Sequence, residues 1–171
     1  MKFLRTRYKA ALVVSILAAL PACTTIPAGG SSAAAGTEMI EIEHGACFGF
    51  CPMYKASITA DDRINFEPVR FTRVETPVSR QGTPGTYERI AALVGPLRPA
   101  SAGEYDISQQ CDSQVTDLSD YHVRWRGPDG VRQVRFYPGC LNSQTEANKR
   151  RMEEAIDTLD IDDLVVRPET N

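Results

Sequence analysis

Apolar and charged residues alternate from Glu38 to Glu43, the period-two pattern of a strand buried on one face. The alternation returns over Tyr54 to Ala60, breaks at Asp61-Asp62 and resumes over Arg63 to Glu67, which predicts a hairpin. Phe71 to Val78 reads as a further extended segment, although neither of its faces is cleanly apolar. A helix-opening pair follows at Thr83-Pro84, a cap and a proline at the first helical position. Ile90, Leu93, Val94 and Leu97 then form one apolar stripe that Gly95-Pro96 ends. Residues 99–118 are polar and irregular.

Tyr121, Val123 and Trp125 alternate with His122, Arg124 and Arg126. Gly127-Pro128-Asp129-Gly130 supplies a turn, and Val134 and Phe136 alternate on the return. A capping box, Ser143-Gln144-Thr145-Glu146, opens the last helix, whose stripe is Met152, Ala155, Ile156 and Leu159. The order β-β-β-β-α-β-β-α lacks any βαβ rhythm. It predicts an α+β fold: a small antiparallel sheet built from hairpins, with two helices packed on one face.

The N-terminus follows another logic. Lys2, Arg5, Arg7 and Lys9 precede an apolar run from Ala10 to Leu20, with no acid among them. A basic start and a short apolar stretch make a secretory signal. The run falls short of the about 20 apolar residues that span a bilayer. Leu20-Pro21-Ala22-Cys23 resembles the lipobox of bacterial lipoproteins. That resemblance implies cleavage after residue 22, lipid on Cys23 and residence in the cell envelope. Thr24 rather than Asp after the cysteine implies the outer membrane, with the domain facing the periplasm. The alternative is an ordinary signal cut at Ala22.

Residues 24–37 are small and flexible and read as a tether, so the lipidated cysteine and tether occupy 23–37. The folded domain is expected over 38–167, with a polar tail over 168–171. Taking the four signal cations from the 19 Lys and Arg leaves 15 against 22 Asp and Glu, a net charge near −7. That charge excludes a basic footprint for nucleic acid. It also disfavours docking on anionic lipid by charge. The expected partners are the membrane, through the anchor, and an envelope protein.

Setting Cys23 aside leaves Cys47, Cys51, Cys111 and Cys140, an even set in an exported chain. Four cysteines allow three connectivities, of which 47–51 with 111–140 is the economical one. Two other chemistries compete for Cys47 and Cys51. As a redox dithiol they lack the two-residue spacing and the helix N-terminus that lower a thiol pKa. With His44 they could instead ligate a soft metal.

Cys47-Phe48-Gly49-Phe50-Cys51-Pro52-Met53-Tyr54, set between two predicted strands, resembles the C-F-G-x-C-P-x-Y signature of DUF6438, a bacterial domain of unknown function common in predicted lipoproteins. Thr116-Asp117, the aromatic hairpin and Tyr137-Pro138-Gly139-Cys140 are similar too, so the resemblance runs from about Ile40 to Leu159. It implies the domain boundary and the cysteine motif, and it brings no activity.

Catalytic constellations are scarce. His44 and His122 are the two histidines, and no Gly-x-Ser-x-Gly or phosphate-cradling glycine loop occurs. Phe48 and Phe50 form either an exposed aromatic knob or a cover over the sheet edge. Arg124, Arg126, Arg132 and Arg135 form either a cationic strip for an acidic partner or partners of local acids such as Asp120 and Asp129. The expectation is a non-enzymatic binding or structural domain without catalytic residues or a cofactor beyond the covalent lipid. The alternative is a periplasmic metal or thiol-redox protein using Cys47 and Cys51.

Overall fold

A computed structural model describes residues 38–165. The expected signal peptide, Cys23, the tether and the polar tail lie outside the described residues. Seven strands and two helices follow in the order β1 (Met39–His44), β2 (Met53–Thr59), β3 (Arg63–Arg70), β4 (Val78–Gln81), α1 (Thr86–Val94), β5 (Gly103–Asp106), β6 (Tyr121–Gly127), β7 (Gly130–Phe136) and α2 (Ser143–Thr158). The strands form one sheet in the order β4-β3-β2-β1-β6-β7-β5. Every neighbour is antiparallel except β5, which runs parallel to β7. The architecture is α+β, as the pattern predicts.

Strand β1 lies at the centre and pairs with β2 on one side and β6 on the other. Its alternation sends Ile40 and Ile42 into the core and Glu41 and Glu43 to the opposite face. Ile58, Ala56, Trp125 and Val123 stand opposite those isoleucines in register and are buried with them. Ile90 and Val94 of α1 and Met152 and Ala155 of α2 complete this layer. The other sheet face carries Glu41, Lys55, Ser57, His122, Arg124 and Gln133 and has no helix on it among the described residues, which explains why each central strand reads as clean alternation.

Three elements differ from the expectation. The segment Phe71–Val78 is no strand. Strand β3 continues to Arg70, Phe71 turns the chain with φ 57°, and pairing resumes only at Val78. Pro77 offers no N–H to a ladder, and Thr72 and Arg73 bond instead to Val165 and Leu164 near the C-terminal end of the domain. The polar stretch 99–118 contains β5, four exposed residues that join the sheet edge through the backbone ladder and through polar side-chain contacts of Glu104 with Gln133 and Asp106 with Arg135. Helix α1 begins at Thr86, not at Pro84. Its cap comes from far away in sequence. The Asp62 carboxylate, in the β2–β3 turn, accepts from the N–H groups of Gly85 (2.8 Å) and Tyr87 (2.7 Å). These bonds, with Tyr87 the stronger contributor, hold the Asp62 carboxyl below its ordinary pKa.

The last helix also caps one residue earlier than the expected box. Asn142 is the N-cap, and its side-chain oxygen accepts from the Thr145 N–H at 2.9 Å. Just before it, Cys140 is joined to Cys111, 29 positions away in sequence, with Cα atoms 5.9 Å apart. This bond ties the irregular polar stretch to the end of β7.

Substitutions at Asp62 and at the Cys111–Cys140 pair test these constraints. Asp62→Ala should lower the urea midpoint of the domain by uncapping α1, whereas Asp62→Asn, also a good cap acceptor, should recover most of the loss. Equal midpoints for the two variants would remove the capping role. Cys111→Ser with Cys140→Ser should cost about 3–4 kcal/mol of stability under oxidising conditions, the chain-entropy value for such a loop, read from the same urea curves.

Candidate functional site

The site grows from one end of the sheet. At the last position of β1, alternation turns His44 to the helix-covered face, in register with Tyr54 on β2 and Tyr121 on β6. The imidazole stacks on Tyr54 with centroids 5.4 Å apart and meets the edge of Tyr121 at 5.3 Å. Phe66 packs beyond Tyr54 at 5.2 Å, and Phe136 beyond Tyr121 at 6.3 Å. Five rings therefore cross five strands in one row.

His44 Nδ1 lies 2.7 Å from the Pro52 carbonyl oxygen. A carbonyl accepts and never donates, so Nδ1 carries the proton and Nε2 presents a lone pair. Burial holds the His44 pKa below its ordinary value of 6.5, against the opposing pulls of the Pro52 carbonyl and the Asp120 charge. Burial, with the Glu153 charge added, pushes the Tyr121 hydroxyl up to about 12. Both groups are uncharged near neutral pH.

The chain then leaves β1 for a turn closed by the Cys47–Cys51 disulfide, with Cα atoms 5.8 Å apart. Gly45 donates its N–H to the Asp120 carbonyl at 2.8 Å, and a Cβ there would meet the Asp120 carboxylate at 1.9 Å. Glycine is the residue that this close approach admits. Gly49 lies at the turn tip with φ 141°. On either side of it, Phe48 is 87% exposed and Phe50 79% exposed. The structure makes them a knob and not a cover. Phe50 touches Phe71 edge to face at 5.2 Å, and the Arg70 guanidinium lies 4.3 Å from the centre of the Phe71 ring. Phe71 holds a left-handed backbone that bulky side chains rarely adopt, a strain stored at this end of the molecule.

Between the turn, Leu118–Tyr121, Pro138 and the α2 side chains Lys149 and Glu153 lies an open hollow of about 640 Å³ with mainly apolar walls. His44 lines it. The hollow of similar size beside Cys111 and Arg135 is polar by contrast.

The other expected site residues behave differently. Both sulfurs of the Cys47–Cys51 pair are spent in the disulfide, so the set His44, Cys47 and Cys51 offers no thiolate in this state. Among the described residues no group of three or more His, Cys, Asp or Glu side chains is placed to hold a metal. The four arginines do not form a free cationic strip. Arg124 bonds Glu41 at 2.5 Å and Glu43 at 2.8 Å, and Arg126 lies 3.8 Å from Glu41. Arg135 bonds Asp120 and Asp106, each at 2.9 Å. The acids come from β1, from β5 and, as Asp120, from the residue just before β6, so the face is a mosaic of paired charges. Arg132 sits half-buried on β7 opposite Trp125. Tyr121, Asp117, Lys149 and Glu153 were not singled out for the site; no local motif marks them, and tertiary register alone assembles them.

The depressed His44 pKa has a thermodynamic consequence. The unfolded chain takes up the proton first, so this contribution is complete above pH 6.5 and is lost as the pH falls below it. Wild-type stability should therefore drop between pH 7 and pH 5, at a slope of at most about 1.4 kcal/mol per pH unit for one proton. His44→Phe should flatten that slope in pH-dependent urea melts. Parallel curves for the two proteins would contradict a buried neutral imidazole.

No curated protein matches the chain. The family model described as a domain of unknown function (DUF6438) matches residues 38–160, from the start of β1 through the end of α2 and well over half of the 171 residues. The cystine turn, the aromatic row and both disulfides fall inside that span, and the chain belongs to the DUF6438 family.

Proposed function

We infer that this chain is an exported lipoprotein, anchored in the cell envelope through a lipid on Cys23, whose tethered domain is a non-enzymatic binding module. The observation that carries the binding reading is the pair Phe48 and Phe50. Two phenylalanines 87% and 79% exposed on a covalently closed turn, beside an apolar hollow, form the kind of surface that a folded domain spends on a partner. Because the disulfide holds the turn, less conformational entropy is lost when a partner docks.

The anchor reading rests on the basic start, the apolar run and the Leu-Pro-Ala-Cys sequence. Two acyl chains or more on Cys23 would give stable anchoring at about 0.8 kcal/mol per buried CH₂. Residues 24–37 would give the domain reach from the membrane surface.

Two experiments address the two halves. The wild-type precursor should incorporate labelled palmitate and fractionate with membranes, and Cys23→Ser should do neither. A soluble, unlabelled wild type removes the anchor. A photoreactive side chain at position 48 should crosslink one discrete envelope partner, with the yield cut several-fold by Phe50→Ser. A crosslink yield indifferent to Phe50 removes the knob as the binding surface.

A further inference from the structure

We propose that the hollow beside the cystine turn binds a primary ammonium group carried on an apolar stem. The proposal rests on the binding reading of this end of the domain and is independent of the anchor.

His44 dictates the first requirement. With Nδ1–H committed to the Pro52 carbonyl at 2.7 Å, this lining residue keeps Nε2 as its acceptor, and among the described residues that nitrogen has no hydrogen-bonding partner. A ligand that bonds Nε2 must donate. The Nδ1–H bond to a backbone oxygen fixes both tautomer and ring angle, and the Tyr54 stack holds the plane. The acceptor is thus oriented before any ligand arrives.

The walls set the second requirement. Phe48, Phe50 and Tyr121 present aromatic rings, and Pro52 and Pro138 add apolar surface. Aromatic faces attract a cation, and Phe48, Phe50 and Tyr121 line the same hollow as His44, with Tyr121 5.3 Å from the imidazole. A volume of about 640 Å³ accommodates a stem of several methylenes behind the charged head.

The rim sets the third. Asp117, Glu153 and Lys149 line the hollow, and the Lys149 ammonium already lies 3.9 Å from Glu153. One negative charge is left over, within a chain whose acids outnumber its bases. An anion would meet repulsion there, and a neutral alcohol would satisfy Nε2 while gaining nothing from the rings or the rim. A protonated amine satisfies all three. A soft metal would find one nitrogen and no thiolate, since both nearby sulfurs are bonded to each other.

The chemistry has two sources, a free alkylamine or the lysine side chain of a protein. The test titrates the purified exported protein with n-pentylammonium, following the ring resonances of His44, Phe48 and Phe50. Saturable shifts are expected, with n-pentanol at least about tenfold weaker and n-hexanoate without effect. Phe48→Ser with Phe50→Ser, both at exposed positions, should weaken the amine about tenfold. His44→Phe, which keeps a ring and removes the acceptor, should weaken it as well.

Equal binding of n-pentanol, or unchanged amine affinity in the double phenylalanine variant, overturns the proposal. A lysine peptide that binds more tightly than n-pentylammonium and loses binding on acetylation supports the ammonium site and assigns a protein source. A peptide no tighter than the free amine supports it and assigns a small molecule. If crosslinking at position 48 persists while no amine binds, the ammonium proposal falls and the binding reading stands.

Discussion

Strand β1 hydrogen-bonds along both of its edges, and every other part of the domain takes its place from that double pairing. Six residues decide it. Ile40 and Ile42 face the helices, Glu41 and Glu43 face away, and His44 ends the strand on the helix side. A slip of one residue would put two carboxylates into the core and two isoleucines in water. The same register brings Tyr54 and Tyr121 against opposite sides of one imidazole, and Glu41 and Glu43 within reach of Arg124. The aromatic row on the covered face and the ion-pair mosaic on the open face are two consequences of a single alignment.

That dependence explains which features could be read along the chain. Hairpins β2–β3 and β6–β7 were legible because alternation and turn residues act over a few positions, and the stripes of both helices were legible for the same reason. Strand β5 was not. Gly103-Glu104-Tyr105-Asp106 is exposed throughout and has no apolar period, so its membership in the sheet comes from the backbone groups and polar side chains that β7 offers. The start of α1 was misplaced because its cap, Asp62, lies more than twenty residues upstream, beyond the reach of a local cap-and-proline signal. In α2 the error was one position, Asn142 in place of Ser143, since either side chain can accept the bond.

The candidate site divides along the same line. The cystine turn was legible because a bond across four positions is a local matter, and its two phenylalanines stood out by type. Their exposure was left open, since a turn of this length could equally fold its rings over the edge. The hollow had no linear signature at all. Its walls come from the β1–β2 turn, the approach to β6, the exit from β7 and one face of α2. The arginine face was left open between a free strip and locally paired charges, and Arg135 does pair with the local Asp120. Four arginines cluster within a dozen positions, but the acids that neutralise Arg124 lie 81 and 83 positions away on β1.

The two disulfides stand where the hydrophobic pattern gives out. From Ile107 to Leu118 the chain is nearly all polar or exposed and buries little that could hold it. The Cys111–Cys140 bond fixes that stretch covalently, and Val115 and Gln114 then pair with the backbone around Gly139 and Cys140. In the β1–β2 turn the apolar residues exist but Phe48 and Phe50 are exposed, so beyond the Phe50–Phe71 contact they contribute little packing to the conformation that displays them. Fully burying a phenylalanine is worth about 1.5–3 kcal/mol, a contribution that Phe48 and Phe50 largely forgo in the isolated domain. The Cys47–Cys51 ring removes unfolded-chain entropy worth about 2 kcal/mol on the loop-closure model, of the order of one such side chain. The covalent bond therefore offsets a packing contribution that the exposed rings largely do not make, and it leaves both rings exposed beside a hollow lined by an imidazole that the Pro52 carbonyl already orients.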